Sequence, residues 1–423
     1  MSTHRHDGLV CTDHFFDAPL DHDRPGGGSI RVYAREVVAA GRENAGLPRL
    51  LWLQGGPGIL AERPNAAGAW LRRALRNHRV VLLDQRGTGR STPADRHSLA
   101  ELPDPAEYLT HFRADSIVRD AELLRRGLQG EEPWAVLGQS FGGFCTVGYL
   151  GLAPEGLTRA MIAGGLPSLT AHADEVYRAA YRRTLRQNER FFARYPEDQH
   201  LADAVAAHLA ENEELLPGGE RLTVRRFQTA GLTFGTSRGF DSLHYLLETA
   251  FTGGRRPRLS DAFLRGMDGI ASFATAPLYA VLHEAVYAQG PRPTAWSAHR
   301  VREEFPEFGY AGSRPVRFTG EMIYPWLFDE DPALVPLKAT AEALAARTGW
   351  PALYDPERLA ANTVPTAAAV YYDDMFVDRE MSLETAAAIR GLRPWVTNAH
   401  AHDGVKADPA VFDRLEAMVG GEL

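Results

Sequence analysis

Apolar residues in this chain gather in short unbroken runs. Leu50-Leu51-Trp52-Leu53, Val80-Val81-Leu82-Leu83 and Trp134-Ala135-Val136-Leu137 contain no polar position, as expected of strands buried on both faces of a sheet. Each leads into a glycine-rich segment: Gln54-Gly55-Gly56-Pro57-Gly58, then Asp84-Gln85-Arg86-Gly87-Thr88-Gly89-Arg90-Ser91, then Gly138-Gln139-Ser140-Phe141-Gly142-Gly143. Residues 10–40 read as a pair of strands, because 29–38 alternate in part and the turn-forming Arg24-Pro25-Gly26-Gly27-Gly28 precedes them. Residues 108–128 carry a helical period with Ile117, Leu123, Leu124 and Leu128 as inward positions. The aliphatic and small residues after Ser140 suit a packed helix.

From about Ser168 the pattern changes. Residues 171–195, 199–216, 243–251 and 277–289 are helical candidates, and strand-like runs are scarce until Thr366. Residues 363–372 then resume the strand pattern, 382–390 look helical, 395–397 form a last short strand, and 411–419 close as a helix. This alternation predicts an α/β protein with a mostly parallel sheet covered by helices. The expected division is a first core part at 1–167, a large, mainly helical cap at 168–340, and a second core part at 341–423. Short Pro/Gly stretches at 253–257 and 290–293 read as linkers.

Composition narrows the function classes. The 423 residues carry a formal charge of −8 and show no dense Lys/Arg cluster with interleaved aromatics, which argues against nucleic acid as a partner. Two cysteines, Cys11 and Cys145, make a disulfide framework improbable. No apolar stretch reaches the length of a membrane span, and the N-terminal residues include Asp and His where a signal peptide needs an apolar core. A cytoplasmic protein with no membrane partner is the expectation. The sequence is silent on oligomeric state.

The chemistry centres on Ser140. Gly138-Gln139-Ser140-Phe141-Gly142 fits G-x-S-x-G between a strand and a helix, a turn that lifts a serine hydroxyl out of the sheet's end. Gly235-Thr236-Ser237-Arg238-Gly239 matches the same five letters but follows a glycine-interrupted stretch rather than an apolar run. A serine needs a base to take its proton and a carboxylate to orient that base. Asp373 or Asp374 follows a strand, and His400 or His402 follows the last one, giving the order Ser, Asp, His of the α/β-hydrolase fold. The oxyanion donors expected are the N–H groups of Gly56 and Phe141. Several rival readings fail on residues. Gly87-Thr88-Gly89 lacks the lysine of a phosphate loop, and His283-Glu284 has Tyr287 where a zinc peptidase needs its second histidine. The His400/His402 pair has no further ligand at metal spacing, so neither metal nor cofactor is expected. Asp84 and Arg86 are expected to pair, or to bind backbone amides, and so hold their loop near the serine. Cys145 reads as packing.

Taken together, the three glycine-rich segments resemble the proline iminopeptidase (prolyl aminopeptidase) family of α/β-hydrolases, in its longer bacterial form. The resemblance implies an α/β-hydrolase fold with the cap inserted after the nucleophile half. It also implies metal-free release of N-terminal proline from peptides, with Asp374 as the acid and His402 as the base. Many relatives carry His where this chain has Gln54, which makes that side chain dispensable. In the family, acids from the cap read the free amino terminus; the corresponding segments here offer Glu284 and Glu321. Phe234, Tyr324 and Trp326 either line a proline pocket or build the cap's own core. The alternatives are an esterase or amidase acting on neutral small molecules with the same triad, or a hydrolase-fold binding protein without turnover.

Overall fold

A computed structural model describes residues 2–64, 68–253, 258–312 and 314–423; residues 254–257 of the first expected linker lie outside them. Nine strands form one sheet: β1 (Ser2–His6), β2 (Leu9–Pro19), β3 (Ser29–Ala39), β4 (Arg49–Leu53), β5 (Arg79–Asp84), β6 (Trp134–Gln139), β7 (Leu157–Ala163), β8 (Thr366–Tyr371) and β9 (Leu392–Thr397). Their spatial order is β1-β2-β3-β5-β4-β6-β7-β8-β9. The first three strands pair antiparallel, with each other and with β5, and every pairing from β5 to β9 is parallel.

The parallel half explains the unbroken apolar runs. In β4, Leu51 and Leu53 enter the core on one face while Leu50 and Trp52 enter the core on the other. The first face packs against α1 (Ala114–Gln129) through Ile117, Val118, Ala121 and Leu124, and against α2 (Phe141–Leu152) through Phe144, Val147 and Leu150. Between β7 and β8 lie mainly helices: α3 (Ala173–Arg194), α4 (Glu197–Glu211), α5 (Gly239–Glu248), α6 (Pro277–Leu282) and α7 (Ser297–Arg302), together with a helix at Asp261–Ala271 and shorter helical segments. A helix at Lys338–Ala346 runs across the expected boundary between residues 340 and 341. After β8 come α8 (Arg379–Ala388) and α9 (Pro409–Gly420). The second face of the sheet is covered by α9, through Val411, Phe412 and Leu415, and by Trp70, which stacks on Trp52 at 4.2 Å between ring centroids. No helix among the described residues is long and apolar enough to cross a membrane.

Several elements depart from the sequence reading. β7 carried no recognisable signal, because Thr158 and Arg159 interrupt its apolar run; its last four residues are buried. Residues 108–128 are two helices rather than one, Pro105–Thr110 and then α1. The chain extends at Arg113 (φ −95°, ψ −179°), whose buried guanidinium donates to the carbonyls of Ala288 and Pro351. Leu123 is 37% exposed, since adjacent helical positions diverge by about 100° and Leu124 takes the inward place. Asp84 and Arg86 do not pair with each other. Buried Asp84 accepts two hydrogen bonds from Arg63 (2.8 and 2.6 Å) and the N–H groups of Ala61 and Arg90. Arg86 binds Asp120 in the same two-pronged way (2.8 and 2.6 Å) and the carbonyls of Leu20 and His111. Removing one partner of such a buried pair costs about 3–5 kcal/mol, so both arginines pin the loops that surround Ser140.

Candidate active site

β6 ends at Gln139 and α2 begins at Phe141, leaving Ser140 alone to make the turn. Its backbone lies at φ 55°, ψ −125°, a conformation that costs a residue with a side chain about 1–3 kcal/mol. The flanking glycines permit it by close approach. A Cβ on Gly142 would stand 1.9 Å from the Leu53 carbonyl oxygen, and one on Gly138 would stand 2.2 Å from that of Gly142. Gly55 presses from the facing loop, where a Cβ would come within 2.9 Å of the Ser140 Cβ. Gly56 therefore lies in the loop that covers Ser140. Phe141 opens α2, where the first N–H groups have no intrahelical partner and the dipole favours negative charge.

The acid and base follow the C-terminal ends of β8 and β9. His402 Nδ1 and Asp374 Oδ2 are 2.7 Å apart; a carboxylate in that place holds the proton on Nδ1 and leaves Nε2 as an acceptor. The other oxygen of Asp374 accepts the N–H groups of Phe376 (2.9 Å) and Val377 (3.2 Å). The Phe376 ring stands edge-on to the imidazole at 4.9 Å. All of Ser140, Asp374 and His402 are buried. Their neighbours in sequence go elsewhere: exposed Asp373 pairs with Arg190 at 2.8 Å, and His400 packs against Trp395 and Tyr371.

Between Ser140 and His402 stands the Gly164-Gly165 pair after β7. A Cβ on Gly164 would lie 3.2 Å from His402 Nδ1, and one on Gly165 would lie 2.4 Å from the Ser140 carbonyl oxygen. Sequence reasoning passed over this pair because the strand before it was not recognised. Burial alone would push the His402 imidazole down. The Asp374 charge and hydrogen bond, helped by Glu321 and Asp403, more than offset that, so His402 stands above its ordinary value.

The cap reaches the same point through Gly58, whose Cβ would meet Leu278 at 2.6 Å and the Tyr279 nitrogen at 2.7 Å. The start of α6 thus rests on the loop over Ser140. The Tyr279 hydroxyl donates to Glu321 at 2.5 Å, and the Glu321 charge is felt at Tyr177, His283, Tyr287 and His402. Tyr287 meets the rings of Phe144, Tyr177 and His283 edge-on at 5.9–6.3 Å. Burial first, and then the nearby carboxylate charges, push all three tyrosine hydroxyls up, so they stay neutral. Burial pushes His283 down. Among the described residues the buried Tyr177 hydroxyl has no hydrogen-bond partner, an arrangement that costs about 1–3 kcal/mol, while the Glu321 main chain stands close to the His283 imidazole.

The Glu284 charge is felt at Tyr177 and Tyr287 as well, but its oxygens are engaged by backbone amides. Its two carboxylate oxygens accept the N–H groups of Ser297 (3.0 Å) and Ala298 (2.9 Å) at the start of α7. Burial raises its pKa and those amides oppose the rise. Tyr324 and Trp326 stack on each other at 5.3 Å in the cap's core, whereas Phe234 lines a cavity of about 240 Å³ together with Ser237, Asp374 and His402. Cys145 is fully buried, and burial pushes its thiol well up. Gln54 accepts the Trp52 indole N–H at 3.0 Å.

A family model described as alpha/beta hydrolase fold matches residues 48–256. Over 413 residues the chain is 47% identical to a proline iminopeptidase of Aeromonas sobria, covering 97% of this chain and 96% of that one. The chain belongs to the proline iminopeptidase family. A second proline iminopeptidase, from Aspergillus aculeatus, is 33% identical over 420 residues and covers 96% of this chain and 93% of that one. Among solved structures, that of esterase E22 superposes with a TM-score of 0.51 at 10% identity, over 97% of this chain and 100% of that one, and it shares the fold. As a proline iminopeptidase family member, the chain holds Ser140, Asp374 and His402 in the region where the parallel strands end and the cap begins.

Proposed function

We propose that this chain is a serine aminopeptidase that releases N-terminal proline from peptides. The observation that carries this reading is the buried Asp374–His402 pair near a serine held at positive φ, under a cap that places the Glu321 carboxylate among tyrosines. The names of its relatives agree with it. Ser140 Oγ attacks the prolyl carbonyl carbon and passes its proton to His402 Nε2, while the N–H groups of Gly56 and Phe141 hold the oxyanion. The tetrahedral adduct collapses, His402 returns the proton to the leaving amine, and the shortened peptide departs. Water, deprotonated by the same imidazole, then cleaves the prolyl ester and frees proline.

Selection falls to the cap at 168–340. Glu321 binds the secondary ammonium of the first residue, with Tyr279 fixing one of its oxygens and Tyr177, His283 and Tyr287 closing around the ring. Glu284 contributes at one remove, because its oxygens secure α7 and thereby that part of the cap. The test compares wild type and Ser140→Ala on prolyl arylamide, N-blocked prolyl arylamide and a simple aryl ester. Turnover of the free-amine amide alone, lost in the variant, is the expected result. Preference for the ester with indifference to the amine would keep the triad and discard the peptidase.

A further inference from the structure

The open edge of the sheet carries side chains that this reaction leaves unused. β1 pairs with β2 in a register that sets His4 opposite Cys11 and His6 opposite Leu9. Side chains two apart on a strand share a face, so both imidazoles stand on one side of β1 and Cys11 meets them from β2. The two rings stack, with centroids 5.6 Å apart and planes 11° apart. Cys11 Sγ lies 3.8 Å from His6 Nε2, and one donor atom from each of the three residues falls within 4.8 Å of the others. Among the described residues no other trio of histidine, cysteine or carboxylate donors is this close.

These separations nearly match a tetrahedral ion. With metal–sulfur bonds of about 2.3 Å and metal–nitrogen bonds of about 2.0–2.1 Å, the sulfur–nitrogen separation is roughly 3.5 Å. Small side-chain shifts therefore bring the donors into range. A thiolate with two imidazoles suits zinc-class ions and disfavours magnesium and calcium, which take oxygen donors. His4 is exposed and His6 half-buried, so an ion can enter from solvent, while Cys11 is anchored in the core on the far side of the sheet from α1. β1 has a use for such a fastening: its side chains are almost all exposed, and besides the backbone ladder to β2 it is held by surface contacts of Ser2 with Asp13, Thr3 with Thr12 and Arg5 with Glu43.

We propose that His4, His6 and Cys11 form a binding site for a zinc-class divalent cation that fastens the edge strand β1 to β2. The fourth coordination position is left to solvent, and the ion takes no part in the chemistry at Ser140.

The experiment titrates the full chain, stripped with a chelator, with Co²⁺ as a spectroscopic substitute for Zn²⁺. A thiolate-to-cobalt charge-transfer band and tetrahedral d–d bands should saturate at one ion per chain and disappear on adding Zn²⁺. Among the described residues Cys145 belongs to no such trio of donors, so the band should vanish in Cys11→Ser. His4→Ala and His6→Ala, at exposed and half-buried positions, should each weaken binding by at least roughly tenfold, the scale on which even outer-shell changes act. Zn²⁺ should raise the thermal midpoint of wild type and not of His6→Ala, with turnover of prolyl arylamide the same in both. Absence of the charge-transfer band in wild type would overturn the proposal, as would its survival in Cys11→Ser or undiminished affinity in both histidine variants. Should Cys11→Ser fail to fold, the two histidine variants decide the matter.

Discussion

The chain contains the pattern Gly-x-Ser-x-Gly twice, and the two copies become different devices. At Ser140 the pattern joins a strand to a helix; Gly142 admits the backbone of β4, and Gly138 admits that of α2. At Ser237 it lies in the cap, between a short helical turn and α5. There a Cβ on Gly235 would strike the Phe376 ring at 2.1 Å, and one on Gly239 would strike the Thr233 carbonyl oxygen at 1.6 Å. Crowding thus demands glycine in both copies. What separates them is the serine: Ser140 has positive φ and Ser237 does not. The Ser237 N–H and hydroxyl both donate to Asp403 (2.9 and 2.6 Å), and the N–H of His402 donates to Gly235 (3.0 Å). The second copy is a clasp that holds the cap to the loop bearing His402. Spacing of this kind reports close packing against the glycines; the preceding strand decides whether the serine is presented at the end of a sheet.

The comparison breaks most directly at the two serines. Ser140→Ala should lower kcat by on the order of 10⁴–10⁶-fold with thermal stability retained, in a prolyl arylamide assay with parallel melting curves. A comparable loss from Ser237→Ala would reverse the two assignments. Glu321→Gln comes next, with an expected loss of about 10–100-fold in kcat/KM for the free-amine amide, the worth of one charge-assisted hydrogen bond, and a much smaller loss for an aryl ester. Equal losses on both substrates would remove its role as amine reader.

A third test reads the imidazole. Protonated His402 cannot accept the Ser140 proton, so activity falls as pH drops through its pKa. Because that pKa is raised, the acid limb of kcat/KM should have its midpoint above the usual ~6.5. Glu321→Gln removes one of the charges that raise it, and should move the limb for an ester substrate toward acid. The smallest effect belongs to Ser237→Ala, which removes one side-chain hydrogen bond worth about 1 kcal/mol and leaves the main-chain donor in place. The thermal midpoint should fall by about 2 °C or less and turnover by less than about threefold; a larger fall in turnover at unchanged stability would show that the clasp positions His402.

The parallel core was legible because burial on both faces leaves a one-dimensional trace, an unbroken apolar run. β4, β5 and β6 announced themselves that way, and the order of Ser140, Asp374 and His402 followed from the loops after each strand. β7 escaped because two polar residues break its run, and with it went the meaning of Gly164-Gly165. The choice between Asp373 and Asp374 rested on resemblance alone; in space it rests on which carboxylate the amides of Phe376 and Val377 hold. Least legible was the cluster of tyrosines around Glu321. Glu321 and Tyr279 are 42 residues apart and Phe144 belongs to the nucleophile's own helix, so no local pattern links them. Glu284 and Glu321 looked equivalent in sequence, and the charge of each is felt at Tyr177 and Tyr287, yet Glu284 caps a helix while Glu321 takes the Tyr279 hydroxyl.

The helices between β7 and β8 also set a timetable. His402 follows Ser140 by 262 residues (402 − 140), and at about 5–20 residues per second the ribosome takes some tens of seconds or less to bridge them. On the proposed roles, the growing chain holds throughout that interval a serine without its base, and the site is armed only after β9 has been made and laid against β8. A cell making this protein is therefore not exposed to a half-finished hydrolase, because the order of synthesis withholds the proton acceptor until the fold that confines it is nearly complete.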